Sequence, residues 1–351
     1  MNRKIRVLVV DDMAMVREIL SKGLAMDPMI EVVATASDPF SARDRIIETK
    51  PDVMTLDVEM PRMDGVDFLR RLMPQYPIPV VMVSSLTERG KQITLDALQA
   101  GAVDFVAKPK TDLARGLNAM LVELRTKIKI ASTANVSHWK KQRTGGGPAE
   151  VIRARSGSLA ESTDKIIAIG ASTGGTEAIR EVITRFPVAT PGVVIVQHMP
   201  AGFTKLFSER MNTLCQMEVK EAENDDRVMP GRILIAPGGN HMSLVRSGGV
   251  YRVRVQQGDL VNGHCPSVEV LMRSVAEHAG ANAVGVMLTG MGGDGADGMK
   301  AMHDAGARTF AQDEASCVVF GMPKVAWERG GVDKLVPLTQ MAQTVLDVFG
   351  P

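Results

Sequence analysis

Short apolar runs rich in β-branched residues alternate with helix-period segments through the first third of the chain. The runs Ile5 to Val10, Glu31 to Ala36, Val53 to Val58, Val80 to Ser84 and Val103 to Val106 have the length and composition of buried strands. Between the first two, Val16, Ile19, Leu20 and Leu24 recur at helical spacing. Strands alternating with helices require right-handed crossovers, which build a parallel sheet covered on both faces. The pattern predicts a doubly wound α/β domain over residues 1–125, with its function at the carboxyl ends of the strands.

The apolar period stops near Ile130. SHWKKQRTGGGPAEVIRARSGSLAEST replaces it with Gly, Ser, Thr and basic residues, and residues 126–160 read as a flexible linker. Regular pattern resumes at Lys165 with KIIAIGAS. A helix follows with Ile179, Val182, Ile183 and Phe186 on one face, stopped by Pro187, and then the strand Val193 to Val196. RILIAPGG and VYRVRVQQG, joined by a Gly-containing turn, predict an antiparallel β excursion before AVGVMLTG restores the alternation. Residues 161–351 are thus expected to form a second doubly wound parallel α/β domain.

Length and composition agree with two cores. The chain has 351 residues, 45% hydrophobic and 23% charged, close to ordinary globular usage. With 41 Lys and Arg against 40 Asp and Glu, no global field favours a polyanion, and aromatics at 4% leave few rings for base stacking; no nucleic-acid partner is expected. The three cysteines, Cys215, Cys265 and Cys317, are too scattered for a disulfide framework or a CxxC metal site and fit a reducing compartment. MNRKIRVLVV meets Asp11 and Asp12 at once, which is wrong for a signal peptide, and no run approaches the roughly 20 residues of a membrane span. A cytoplasmic monomer without membrane insertion is expected. The 23 methionines read as adaptable core filler.

Strand one ends in Asp11 and Asp12 and strand three in Asp57, so a parallel sheet brings three carboxylates to one edge. Like charges this close repel unless a cation lies among them, and hard oxygen ligands with room for water and phosphate suit Mg²⁺. Ser84 closes strand four, and strand five leads into Lys108 and Pro109. Acid, hydroxyl and ammonium together describe a site that forms and holds a phosphoryl group. Any one of these residues is equally at home where a strand merely surfaces; five at four strand ends are harder to explain that way.

VVDD, TLDVEMPRMDG, VMVSS and VAKP, in that order, make this first domain resemble response-regulator receiver domains. The resemblance implies a flavodoxin-like fold, a histidine kinase as phosphodonor and Asp57 as the acceptor. It also implies Mg²⁺ held by Asp11, Asp12, Asp57 and the backbone carbonyl of Glu59, with Ser84 and Lys108 sensing the phosphate. Phe105 stands where such domains carry a switching aromatic; a fixed core phenylalanine is the other reading.

In the second domain KIIAIGAS runs into TGG, so Ser172 lies at a strand-to-helix turn and GASTG fits G-x-S-x-G. Such a turn exposes the hydroxyl and aims the Thr173 amide at whatever the serine attacks, although dinucleotide phosphate loops share this sequence character. A dinucleotide site wants an acid at the end of the next strand. VVIVQH ends instead in His198, which among the six histidines is the one that caps a buried parallel strand. His138 lies in the linker, and His241, His264, His278 and His303 fall in loops or helices without metal-ligand spacing. AVGVMLTGMGGDG supplies Asp294 to orient an imidazole base and the Met291 amide as a second oxyanion donor; Asp297 is the competing acid, within the helix that follows.

The order Ser, His, Asp differs from that of α/β-hydrolases, which points to a convergent triad. GASTGG, VQHMP, APGGNHM and LTGMGGDGADGM resemble the catalytic domain of chemotaxis protein-glutamate methylesterases. That family implies a serine esterase without a cofactor for the esterase step, acting through Ser172, His198 and Asp294. Its implied substrates are glutamyl γ-methyl esters, with some glutamines, on methyl-accepting chemotaxis receptors, under the control of the receiver. The non-enzymatic rival, a receiver joined to a DNA-binding module, predicts a small basic helix-turn-helix output domain, and a nucleotide-dependent oxidoreductase predicts a phosphate loop at Lys165 to Gly175.

Overall fold

A computed structural model of the chain describes residues 3–61, 63–85, 87–109, 113–143 and 165–350. Two compact units divide at Gly146 and Gly147. In the first, β1 (Ile5–Val10), β2 (Ile30–Ala36), β3 (Val53–Asp57), β4 (Val80–Ser84) and β5 (Asp104–Ala107) form one sheet in the order β2-β1-β3-β4-β5. Every pairing is parallel, and β3 and β4 are buried along their whole length, as continuous apolar runs demand of strands covered on both faces. The strands lie within one residue of their expected bounds. The crossover helices are α1 (Ala14–Ala25), α2 (Pro39–Thr49), α3 (Gly65–Leu72), α4 (Glu88–Gln99) and α5 (Leu113–Ala131). Helix α2 starts where Asp38 and Ser41 form a capping box with Pro39 in the first turn, a start signal written in adjacent residues.

The expected linker is corrected at its amino-terminal end. Helix α5 runs to Ala131 and a 3₁₀ helix covers Ser137–Arg143, because the apolar period continues past residue 125: Leu124, Ile128 and Ala131 are fully buried, and Val136 follows them. The remainder of the expected linker, 144–160, lies outside the described residues.

Among the described residues the second unit holds seven parallel strands: β6 (Ile166–Ala171), β7 (Gly192–Gln197), β8 (Glu218–Glu221), β9 (Arg232–Ile235), β12 (Ala283–Met287), β13 (Arg308–Gln312) and β14 (Lys334–Val336). Their order is β14-β13-β12-β6-β7-β9-β8. A separate antiparallel hairpin pairs β10 (His241–Ser247) with β11 (Val250–Gln256). The excursion is therefore present, but RILI is not part of it. It forms β9 of the parallel sheet, and HMSLVRS takes its place opposite VYRVRVQ across the Gly248–Gly249 turn. The helices are α6 (Gly175–Ile183), α7 (Phe203–Leu214), α8 (Val268–His278), α9 (Ala296–Asp304), α10 (Met322–Glu328) and α11 (Leu338–Asp347). Among the described residues no helix is long and apolar enough to cross a membrane.

In each sheet two neighbouring strands send the chain off in opposite directions. In the first unit β1 lies between β2 and β3; in the second β6 lies between β12 and β7. Crossover loops leave such a switch point in opposite directions and open a crevice at the carboxyl ends of the strands, where α/β proteins bind ligands.

Candidate functional site

The crevice of the first unit is acidic. Carboxylate oxygens of Asp11, Asp12 and Asp57 lie within 4.8 Å of one another, and Lys108 Nζ reaches Asp11 Oδ2 at 3.1 Å and Asp57 Oδ2 at 3.0 Å. Three carboxylates against one ammonium leave an excess of negative charge among hard oxygen donors, a set that fits a divalent cation such as Mg²⁺. Burial pushes the Asp57 carboxyl up to about 6; the Lys108 ammonium opposes that rise and the neighbouring Asp11 adds to it. For Lys108 burial acts downward, yet Asp57 and Asp11 outweigh it and hold the ammonium above its ordinary range.

Ser84 stands at the end of β4 beside the acidic group, with Val83 aligned to Asp57. Its hydroxyl faces α4, accepting from Thr94 Oγ1 at 2.6 Å and lying 3.3 Å from the Gly90 carbonyl. Phe105 is buried, with Lys127 Nζ 5.1 Å from its ring centroid. Lys127 also donates to the Phe105 carbonyl and pairs with Asp104 and Glu123, a link from β5 to α5 that sequence reasoning missed. Glu59, two positions past Asp57, has an exposed side chain.

The crevice of the second unit gathers Ser172 after β6, His198 after β7 and Asp294 after β12. Ser172 Oγ lies 3.2 Å from His198 Nδ1, and His198 Nε2 lies 2.9 Å from Asp294 Oδ2. Asp294 is 3% exposed and accepts further hydrogen bonds from Ser267 Oγ (2.7 Å), Val268 N (2.7 Å) and Asn262 Nδ2 (2.9 Å). Burial raises its pKa, but the donors His198, Asn262 and Ser267 prevail and bring the carboxyl down to about 2. An ionised Asp294 accepts a hydrogen bond from Nε2–H, which leaves the Nδ1 lone pair facing the serine hydroxyl. Asp297 lies apart from this chain of contacts, half-exposed and paired with Arg329.

Glycine and threonine shape the loops around Ser172. A Cβ on Gly290 would stand 2.8 Å from the Ser172 Cβ, so the residue preceding Met291 must be glycine for the two loops to touch. Thr289 Oγ1 donates to the Thr173 carbonyl at 3.0 Å and accepts from Val319 N at 3.0 Å, fastening the serine turn to the Met291 loop. Thr173 is buried and the Met291 side chain is exposed. Sequence reasoning named the three polar groups in line but missed the donors around the acid. Asn262 and Ser267 carry no motif, although Asn262-Gly263 is a recognisable turn dipeptide.

The two crevices define a receiver-type acidic site and a serine-hydrolase arrangement in one chain. A family model described as response regulator receiver domain matches residues 7–119, and one described as CheB methylesterase matches residues 167–345. The protein-glutamate methylesterase/protein-glutamine glutaminase of Syntrophotalea carbinolica is 70% identical over 99% of both chains. A protein of that name, numbered 2, from Syntrophomonas wolfei is 56% identical over 98% of this chain and 97% of its own. The crystal structure of the Thermotoga maritima CheB methylesterase catalytic domain covers 52% of this chain and 98% of its own, with 36% identity and a TM-score of 0.51. The chain belongs to the CheB-type protein-glutamate methylesterases, chemotaxis response regulators that join an N-terminal receiver domain to a C-terminal methylesterase domain.

Proposed function

We propose that the chain is a phosphorylation-activated serine esterase that hydrolyses glutamate γ-methyl esters on methyl-accepting chemotaxis receptors and deamidates selected receptor glutamines. The observation that carries this reading is the unbroken line from Ser172 Oγ through His198 to Asp294 at the switch point of a parallel sheet. Ser172 Oγ attacks the ester carbonyl as its proton passes to His198 Nδ1, and the backbone amides of Thr173 and Met291 receive the oxyanion. Collapse expels methanol, protonated by His198; for a glutamine the leaving group is ammonia. Water, deprotonated by the same imidazole, then releases the glutamate. Methanol release from methylated receptor membranes, compared between the intact protein and Ser172→Ala, tests this directly.

The receiver is read as the switch. Asp57 accepts the phosphoryl group from a chemotaxis histidine kinase, with Ser84 and Lys108 contacting the phosphate and Phe105 relaying the change. Asp11, Asp12, Asp57 and the Glu59 carbonyl would hold Mg²⁺, which when bound offsets the charge of the carboxylates and the incoming phosphate. In this reading the unphosphorylated receiver restrains the esterase and the connector keeps the two at high effective concentration. The chain is taken to work as a cytoplasmic monomer.

A further inference from the structure

Residues Val261 to His264 form a tight turn beside the catalytic line. Val261 N donates to the His264 carbonyl at 3.1 Å and His264 N to the Val261 carbonyl at 3.0 Å. The central residues Asn262 and Gly263 have φ of 52° and 82°, the left-handed pair that an Asn-Gly turn adopts readily. Through its central asparagine and its terminal histidine the turn touches two members of the triad. Asn262 Nδ2 donates to Asp294 Oδ1 at 2.9 Å, and the His264 ring stacks on His198, with centroids 3.7 Å apart and planes 12° from parallel. His241 ties together the segments on either side of the turn: its Nδ1 accepts from Ser267 N at 3.3 Å, so its Nε2 donates to the Asp259 carbonyl at 2.8 Å.

Two neutral aromatic rings prefer offset or edge-to-face contact over near-parallel stacking with close centroids. The turn, fixed by its own backbone hydrogen bonds, holds the two rings in this contact. Its consequence falls on His198. An imidazole is broadly free about its second side-chain torsion; the 2.9 Å bond to Asp294 anchors Nε2, while the 3.2 Å contact to Ser172 is a weaker tether on Nδ1. A ring lying flat on one face blocks that rotation and keeps water off the same face. It also presents a π face to the charge that develops on His198 when the serine proton arrives.

We propose that His264 is a positioning residue for ester hydrolysis, its stacked ring holding the His198 imidazole in the plane that joins Ser172 to Asp294. The inference rests on the esterase reading above. It requires His264 to be neutral, since a second cation would repel the imidazolium. Burial, with the neighbouring His198, pushes the His264 pKa down to about 4 although Asp294 pulls upward.

The test compares His264→Phe with His264→Leu in the full chain, by kcat and KM for methanol release and by thermal unfolding. Phenylalanine keeps a flat ring without a proton; leucine fills space without one. Misalignment of a catalytic group by about an ångström can cost on the order of 100-fold, so the leucine variant is expected to lose about tenfold or more in kcat at unchanged KM, with phenylalanine within about threefold of the parent. Should leucine fail to fold, His264→Gln, flat at its amide but without a ring, takes its place with the same expectation. Equal kcat for the phenylalanine and non-aromatic variants, high or low, or a change confined to KM, overturns the proposal. Ser172→Ala is measured alongside: if it turns over normally, the esterase reading fails and takes this proposal with it. An inactive Ser172→Ala beside a fully active leucine variant overturns the positioning role alone.

Discussion

Asp57 and Asp294 are both buried carboxylates at the switch point of a parallel sheet, and their surroundings drive them in opposite directions. Asp57 has the Val58 amide at 2.8 Å and a lysine that it shares with Asp11, and its pKa rises to about 6. Asp294 is surrounded by donors from His198, Asn262, Ser267 and the start of α8, and its pKa falls to about 2. Burial costs both of them; the count of donors decides the sign. The second site is electrostatically complete within the protein and suits a group that stays charged through every turnover. The first carries surplus negative charge, so its state changes when a cation or a phosphoryl group arrives, which suits a switch.

The largest expected effects break the complete site. Ser172→Ala and His198→Ala should each lower methanol release by on the order of 10⁴-fold or more while the protein remains folded, because triad members act as a unit. Asp294→Asn should be comparably severe through the wrong imidazole tautomer, whereas Asp297→Asn should be nearly neutral. Normal turnover by Asp294→Asn, or severe loss in Asp297→Asn, would show that the wrong acid has been chosen.

Stability separates the two carboxylates next. A folded pKa raised above the unfolded value means that folded Asp57 binds its proton more tightly than the unfolded chain does. The resulting cost is absent below about pH 4, grows between about pH 4 and 6, and is complete above that. Asp57→Asn should therefore stabilise the first unit at pH 7, by at most about 3 kcal/mol, and much less at pH 4. Mg²⁺ should raise the thermal midpoint of the parent at pH 7.5 and lose that effect at pH 5, where the carboxyl holds its proton. Asp294 follows the other sign: its depressed pKa contributes stability above the unfolded value near pH 4, which is lost only as pH falls towards about 2. A calorimetric comparison at pH 7.5, 5 and 4 that finds no pH-dependent gain from Asp57→Asn would remove the contrast.

Regulation is the smallest effect. Deleting residues 1–150 should raise basal esterase activity, and phosphodonor with Mg²⁺ should stimulate the intact protein; tenfold stimulation corresponds to about 1.4 kcal/mol of differential stabilisation. Asp57→Asn should keep basal activity and lose the stimulation, and Lys108→Ala should accept phosphate yet activate poorly. Full stimulation of Asp57→Asn by a small phosphodonor, read as methanol release, would show that Asp57 is not the switch.

What the sequence determined by itself was the order of strands and helices and the residues at the strand ends. Asp11, Asp12, Asp57, Ser172 and His198 were legible because each ends an apolar run, and Asp294 because it stands in the Gly-rich loop that follows one; a parallel crossover fold carries such ends and their loops to one edge. The continuation of α5 was also legible in the spacing of Leu124, Ile128 and Ala131, which outlasts the onset of the polar composition. The tertiary structure alone decided which strand pairs with β11 in the hairpin, where Lys127 lands and which groups surround Asp294. Asn262 and Ser267 reach that carboxylate across 32 and 27 positions of chain, and His264 meets His198 from a turn with no apolar period of its own. Hydrogen bonds and ring contacts between loops depend on strand order and turn geometry acting together, and no local spacing encodes that combination.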